Sequence, residues 1–191
     1  MELPLFPLNT VLFPGGVLPL RIFETRYIDM VRHCLRSDAP FGVILIREGA
    51  QTGASSAIHG VGTWGQIVDW EQRPDGLLGI TIQGEMRFRV ERTWVQKDGL
   101  LLGEVIEHPM PADDVALPGE FLPLADLLQR LLQALPPPYC DMVGSFDRCG
   151  WVGARLTELM PFDPAQKQAL LEMDDALARL FHLRDALVAA G

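Results

Sequence analysis

Leu3-Pro4-Leu5-Phe6-Pro7-Leu8-Asn9-Thr10-Val11-Leu12-Phe13-Pro14-Gly15-Gly16-Val17-Leu18-Pro19-Leu20 contains no charged side chain. An uncharged run of this length raises the question of a membrane helix or a signal peptide. Pro4, Pro7, Pro14 and Pro19 each remove an amide donor, Gly15-Gly16 adds a turn, and no basic segment precedes the run. A helix with four such interruptions is not sustainable, so the stretch reads as extended segments around a loop. Residues 3–6 and 10–13 are expected as short strands, followed by Val17 to Ile22.

Downstream the period changes. From Phe23 or Glu24 the apolar positions Tyr27, Ile28, Val31, Cys34 and Leu35 recur at three and four, which predicts one helix with a single buried stripe. Strand patterns then resume at Phe41 to Ile46, Gly62 to Trp70, Leu77 to Gln83, Met86 to Val95 and Leu100 to Glu107. Turn signals separate them at Arg73-Pro74-Asp75-Gly76 and Lys97-Asp98-Gly99. In Arg87-Phe88-Arg89-Val90-Glu91 the alternation is strict, as in a strand with one buried and one wet face. Short antiparallel strands at this spacing with one inserted helix point to a small, partly closed barrel. Trp64, Trp70 and Trp94 are expected in its core, because aromatics contribute so much buried area.

A stretch rich in Pro, Asp and Ala from Pro109 to Gly119 reads as a linker, and the pattern beyond it is helical. Glu120 to Leu135 repeats Leu and stops at Pro136-Pro137-Pro138. A second helix is expected from Asp147 to Met160. A third is expected to start with a capping box at Asp163, Pro164 and Gln166 and to run on to Val188. Leu170, Met173, Leu177, Leu180, Phe181 and Leu187 would lie on its inner side, with Glu172, Asp175, Arg179 and Asp185 mostly outward. The expected organisation is a β domain over 1–111 and a helical bundle domain over 112–191.

With 48% hydrophobic and 21% charged residues in 191, the chain has the composition of a folded globular protein. Its net charge of −9 is spread, with 10 basic and 13 acidic groups up to residue 111 and 6 and 12 after it. Polyanion binding needs Lys and Arg to neutralise phosphates, so the balance argues against nucleic acid, and the same sign argues against acidic membrane surfaces. Cys34, Cys140 and Cys149 form no CxxC pair and leave one thiol over in any pairing, so reduced thiols in a cytoplasmic protein are expected.

The sequence offers little for catalysis. Gly60, Gly62 and Gly65 have the G-x-G-x-x-G spacing of dinucleotide loops. That motif must open a helix, whereas Gln66-Ile67-Val68-Asp69-Trp70 reads as a strand, so the glycines are taken as strand-bend positions. No GxxxxGK[ST] occurs, and Lys97 in a turn and Lys167 early in a helix are poorly placed for P-loop or Ser-Lys chemistry. His33, His59, His108 and His182 are scattered, without HExxH or i, i+4 pairs, and the carboxylates show no acid/base pattern. No catalytic residue, metal or cofactor is expected.

Leu3-Pro4-Leu5-Phe6-Pro7-Leu8, Val11-Leu12-Phe13-Pro14-Gly15 and Leu18-Pro19-Leu20-Arg21-Ile22-Phe23-Glu24 to Arg26-Tyr27 together resemble the N-terminal domain of Lon proteases. So do Phe41-Gly42-Val43-Ile44-Leu45-Ile46, Gly62-Thr63 with Ile67, and Gly84 with Arg87-Phe88-Arg89-Val90. In the helical part the likeness continues through Trp151, Arg155-Leu156, Glu158-Leu159, Pro161, Lys167-Gln168, Leu170-Leu171-Glu172 and Arg179-Leu180. The resemblance implies an α+β fold, a PUA-like partly closed β-barrel with one inserted helix followed by a C-terminal helical bundle. It implies recognition of polypeptides, while the chain departs from full-length Lon by ending before the ATPase and peptidase domains, so autonomous proteolysis is not carried over.

The expected activity is therefore a non-catalytic polypeptide-binding module, an adaptor or regulator in protein quality control. Its partners would be unfolded or extended chains and a full-length Lon protease, met at an apolar concavity between the halves or at an exposed strand edge. Arg21, Phe23, Glu24, Arg26 and Tyr27 are the candidate contacts, because a chain turning from strand into helix presents side chains at a groove. The plainer alternative is that an arginine pairs with Glu24 while Phe23 and Tyr27 fill the seam under the helix. An RNA-binding PUA-like protein is the other functional class, resting on fold analogy and opposed by charge.

Overall fold

The structure, a computed structural model, describes residues 1–47, 58–111 and 115–190. The chain divides into two compact units, Met1–Pro109 and Met110–Gly191.

The first unit holds β1 (Glu2–Leu8), β2 (Val17–Ile22), α1 (Thr25–Ser37), β3 (Phe41–Ile46), β4 (Ile58–Gln72), β5 (Leu78–Val95) and β6 (Leu101–Glu107). The strand order is β2-β5-β4-β3-β1-β6, and β5 also pairs with β6. That last pairing closes five strands into a ring and leaves β2 appended to the first part of β5. β1 runs parallel to β3, and the other pairings are antiparallel. The expected partly closed barrel with one inserted helix is what the chain forms.

Residues expected as two strands, 77–83 and 86–95, are one 18-residue strand. Register shifts at Trp64/Gly65, Ile67/Asp69 and Val90/Arg92 bend the ladder so that one strand serves three neighbours. Gly62 shows why glycine is needed along the seam: a Cβ there would stand 2.5 Å from the Val43 carbonyl oxygen and 2.7 Å from the Phe88 ring. The dinucleotide-like glycines thus lie on strand β4, as the local pattern indicated.

Residues 10–13 do not form a strand. The amide of Gly15 donates to the Gly84 carbonyl at 2.7 Å and Gly84 donates back to Gly16 at 2.9 Å, so the loop is pinned onto β5, with Leu12 and Phe13 buried beneath it. On α1 the buried stripe is Tyr27, Met30, Val31 and Cys34, while Leu35 is exposed. One apolar cluster joins that stripe to Phe6, Ile22, Phe41, Val43, Ile80 and Ile82. A second, of Leu3, Leu5, Ile44, Ile58, Trp64, Phe88, Leu101 and Val105, fills the ring. Trp64 is in the core as expected, and Trp94 packs against the first cluster. Trp70 is instead 62% exposed, because β4 continues past both clusters into solvent.

The second unit holds a 3-10 turn Gly119–Phe121, then α2 (Leu122–Ala134), α3 (Cys149–Leu159), α4 (Pro164–Glu172) and α5 (Ala176–Ala190). The capping box on Asp163 and Gln166 forms with both reciprocal bonds, 2.8 and 3.3 Å. The single long helix expected after it is two helices. Asp175 accepts from the amide of Ala178 at 2.9 Å and opens α5, and the fully buried Arg179 donates from Nε to the Leu170 carbonyl at 2.9 Å and from Nη2 to that of Met173. Arg179 therefore points inward, against expectation, because it satisfies the carbonyls that the break in the helix exposes. Leu180 and Leu183 are buried beside it, whereas Phe181 lies at the surface, its ring edge-on to Phe121 at 5.0 Å.

Candidate functional site

The turn from β2 into α1 supplies the five candidate residues, and all five line one cavity of about 190 Å³ within the first unit. Glu24 is the residue before α1, extended at φ −79°, ψ 133°, and its carbonyl accepts the first helical amides, those of Tyr27 and Ile28, at 3.0 Å each. This geometry swings successive side chains in different directions. Phe23 projects outward and is 67% exposed, while Tyr27 folds under the helix to 7% and packs its ring 4.1 Å from that of Phe6. The plainer alternative for these residues thus holds for Tyr27 and fails for Phe23.

The charged groups on the rim are matched. Arg26 meets Glu24 at 2.6 Å and donates from its other Nη to the Gly99 carbonyl at 2.8 Å, and its guanidinium carbon lies 4.8 Å from the centre of the Tyr27 ring. Arg21 meets Asp75 of the β4–β5 turn at 3.0 Å. Burial pushes the Tyr27 phenol above its usual pKa, with the Arg26 charge working against the shift and Glu24 adding to it.

The rest of the wall comes from elsewhere in the chain: Phe6, Pro7 and Leu8 of β1, Leu20 and Ile22 of β2, Ile46, Ile58, Val95 and Leu101. Sequence reasoning assigned most of these to strands without connecting them to a site, while Pro7, Leu8 and Ile58 fell outside the expected strands 3–6 and 62–70 and join β1 and β4 only in the structure. They come from six strands, so no local spacing could have grouped them. Gly99 alone carried a signal, as the glycine of an Asp-Gly turn, and its φ of +85° is the conformation that such a turn demands.

Among the described residues, no group of three or more His, Cys, Asp or Glu is placed to hold a metal ion, and no helix is long and apolar enough to cross a membrane. None of the three cysteines is in a disulfide; Cys34 and Cys149 are buried and Cys140 is exposed.

Comparison with known proteins gives this geometry a family. A profile described as the ATP-dependent protease La (LON) substrate-binding domain matches residues 2–189. The chain is 30% identical over 185 residues to Lon protease 2 of Myxococcus xanthus and 27% identical over 190 residues to Lon protease of Xanthomonas oryzae pv. oryzae. These alignments take in 93% and 94% of this chain and 22% of each relative, so the chain spans less than a quarter of the length of these two curated relatives. A crystal structure of a Lon N-terminal domain protein from Xanthomonas campestris aligns with a TM-score of 0.76 at 39% identity, covering 97% of this chain and 98% of that one. The N-terminal domain of a Mycobacterium avium complex Lon protease shares the fold, with a TM-score of 0.58 at 19% identity over 97% of both chains. From its second residue almost to its last, this chain belongs to the Lon substrate-binding domain family.

Proposed function

We propose that this chain is a non-catalytic polypeptide-binding module that holds unfolded or extended chains at the cavity bordered by Arg21, Phe23, Glu24, Arg26 and Tyr27. The observation that carries the reading is Phe23, a large apolar side chain left 67% in water at the lip of an apolar hollow. Exposed aromatic surface beside a concavity is where a partner's apolar side chain gains most from leaving water. Both arginines at the mouth are already paired with carboxylates, which fits recognition of a neutral main chain better than acid-base chemistry or the capture of phosphates. The family description, a substrate-binding domain, agrees with that use. In the cell the module serves as an adaptor or regulator of protein quality control in the cytoplasm, with its thiols reduced, alongside a full-length Lon protease.

The test is a titration of a fluorescently labelled, reduced and carboxymethylated polypeptide with the full chain. Saturable binding at tens of micromolar or tighter, little changed by salt, is expected, and Phe23→Asp should weaken it by about tenfold or more. Absence of binding at that concentration, or binding indifferent to Phe23→Asp, overturns the reading. Loss of affinity with rising salt on a polyanion column would instead favour RNA.

A further inference from the structure

Besides the Phe23 cavity, the first unit has a second, more polar hollow beside α1, and the second unit has an apolar groove between α4 and α5. Neither carries a feature that selects an occupant. The cavity at Phe23 does, because strand β2 runs along it with one edge that no strand among the described residues pairs.

We infer that the bound polypeptide joins the free edge of β2 as an added strand and places one large apolar side chain in the cavity. This rests on the polypeptide-binding reading above and specifies how the partner is held.

The hydrogen-bond parity of β2 decides which groups are on offer. Gly84 donates to Gly16 at 2.9 Å, and the register then pairs Leu18 with Ile82, Leu20 with Ile80 and Ile22 with Leu78. Because antiparallel bonding alternates residue by residue, Leu18, Leu20 and Ile22 direct their main-chain groups at β5, and Val17, Pro19 and Arg21 direct theirs away from it. Pro19, which has no N–H, is tolerated in mid-strand only where its nitrogen faces outward, and it does. Among the described residues no strand pairs with that outward side. Val17 and Arg21 thus present a donor and an acceptor each, and Pro19 an acceptor, in the two-residue repeat that an extended chain matches.

Across the cavity, β1 makes no equivalent offer. The amide of Val105 donates to the Met1 carbonyl at 2.8 Å, which by the same alternation turns Leu3, Leu5 and Pro7 toward β6. β6 ends its pairing at Leu5, and Pro7, the next residue facing that way, has no N–H to give. The carbonyl of Gly99, in the turn before β6, already accepts from Arg26. The open ladder is therefore the β2 edge.

Size and charge select the guest. An apolar cavity of about 150 Å³ takes up benzene, so about 190 Å³ is room enough for one phenyl or leucyl side chain. With Arg21 bound to Asp75 and Arg26 to Glu24, the rim carries no uncompensated charge, which is complementary to an uncharged extended segment bearing a single Phe or Leu.

The test uses the full chain and a fluorescent nine-residue probe of Ser and Thr with one central Phe. Two further versions are N-methylated at alternate amides, one for each parity. Methylation of one parity should weaken binding by about tenfold or more and of the other by no more than about twofold, since only one set of amides meets β2. Arg21→Pro, which deletes an outward donor without touching the β5 ladder, should bind more weakly than Arg21→Ala, with equal melting temperatures showing that both fold. If the Phe probe binds and neither parity matters, strand addition is wrong while the polypeptide-binding reading stands. If no probe binds at roughly 100 µM, or if replacing the Phe by Ser changes nothing, the reading and this inference fall together.

Discussion

Arg26 reaches across 73 residues of sequence to donate to the carbonyl oxygen of Gly99 at 2.8 Å, tying the start of α1 to the turn between β5 and β6. The same guanidinium holds Glu24 at 2.6 Å, so one side chain fixes the angle at which the helix leaves the barrel and shapes the wall of the cavity. Arg26→Met should lower unfolding free energy by about 1–3 kcal/mol, as expected when a charged donor to a part-buried carbonyl is lost. Chemical denaturation read by tryptophan fluorescence measures this, and a change below about 0.5 kcal/mol would mean the bond is incidental.

Gly99 depends on its backbone conformation more than on space. At φ +85° a side chain is strained, although a Cβ would meet nothing closer than Arg26 at 3.5 Å. Gly99→Ala should therefore destabilise by about 1–2 kcal/mol, a loss visible as a lower thermal midpoint without a change in the far-ultraviolet spectrum.

Phe23 is expected to separate stability from binding. It lies mostly in water, so Phe23→Asp should change unfolding free energy by less than about 0.5 kcal/mol while weakening polypeptide binding by about tenfold or more. A large fall in the melting midpoint would reassign Phe23 to the packing of the helix.

Cys34 links stability to alkaline pH. Burial pushes its thiol up to about 11 from 9.0. Below pH 9 it is neutral folded or unfolded and contributes no pH dependence. Between 9 and about 11 the unfolded chain releases the proton first, so stability falls as pH rises through that window. After allowance for partial screening the loss amounts to about 1–2 kcal/mol. Cys34→Ala should flatten the slope of stability against pH over that interval, and a thiol reagent at neutral pH should label Cys140 promptly and Cys34 and Cys149 only on unfolding.

The break between α4 and α5 should prove more costly to disturb than the start of α4. Asp163→Ala removes an exposed capping box and should lose about 1 kcal/mol. Arg179→Met leaves the carbonyls of Leu170 and Met173 without their buried donor and should lose about 3 kcal/mol. Equal effects in urea titration would show that the buried guanidinium is not what holds the break.

Local chemistry alone determined much of this protein. The prolines of residues 3–20 excluded a helix, the 3.6-residue recurrence on Tyr27, Val31 and Cys34 marked α1, and the Arg73–Gly76 and Lys97–Gly99 turns and the Asp163 cap occur where their residue types demand. Each of these depends on dihedral limits or hydrogen bonds within a few residues, which a linear reading can evaluate. Tertiary structure decided the rest. Whether 77–95 is one strand or two depended on three neighbours sharing β5. Whether 163–190 is one helix or two depended on Asp175 and a buried Arg179, and the exposure of Phe23 beside a buried Tyr27 depended on the direction in which α1 leaves the sheet. The cavity wall unites Leu8, Ile58, Val95 and Leu101, residues that become neighbours only when the ring closes. Those outcomes arise from contacts between distant segments, whose energies no single stretch of chain contains.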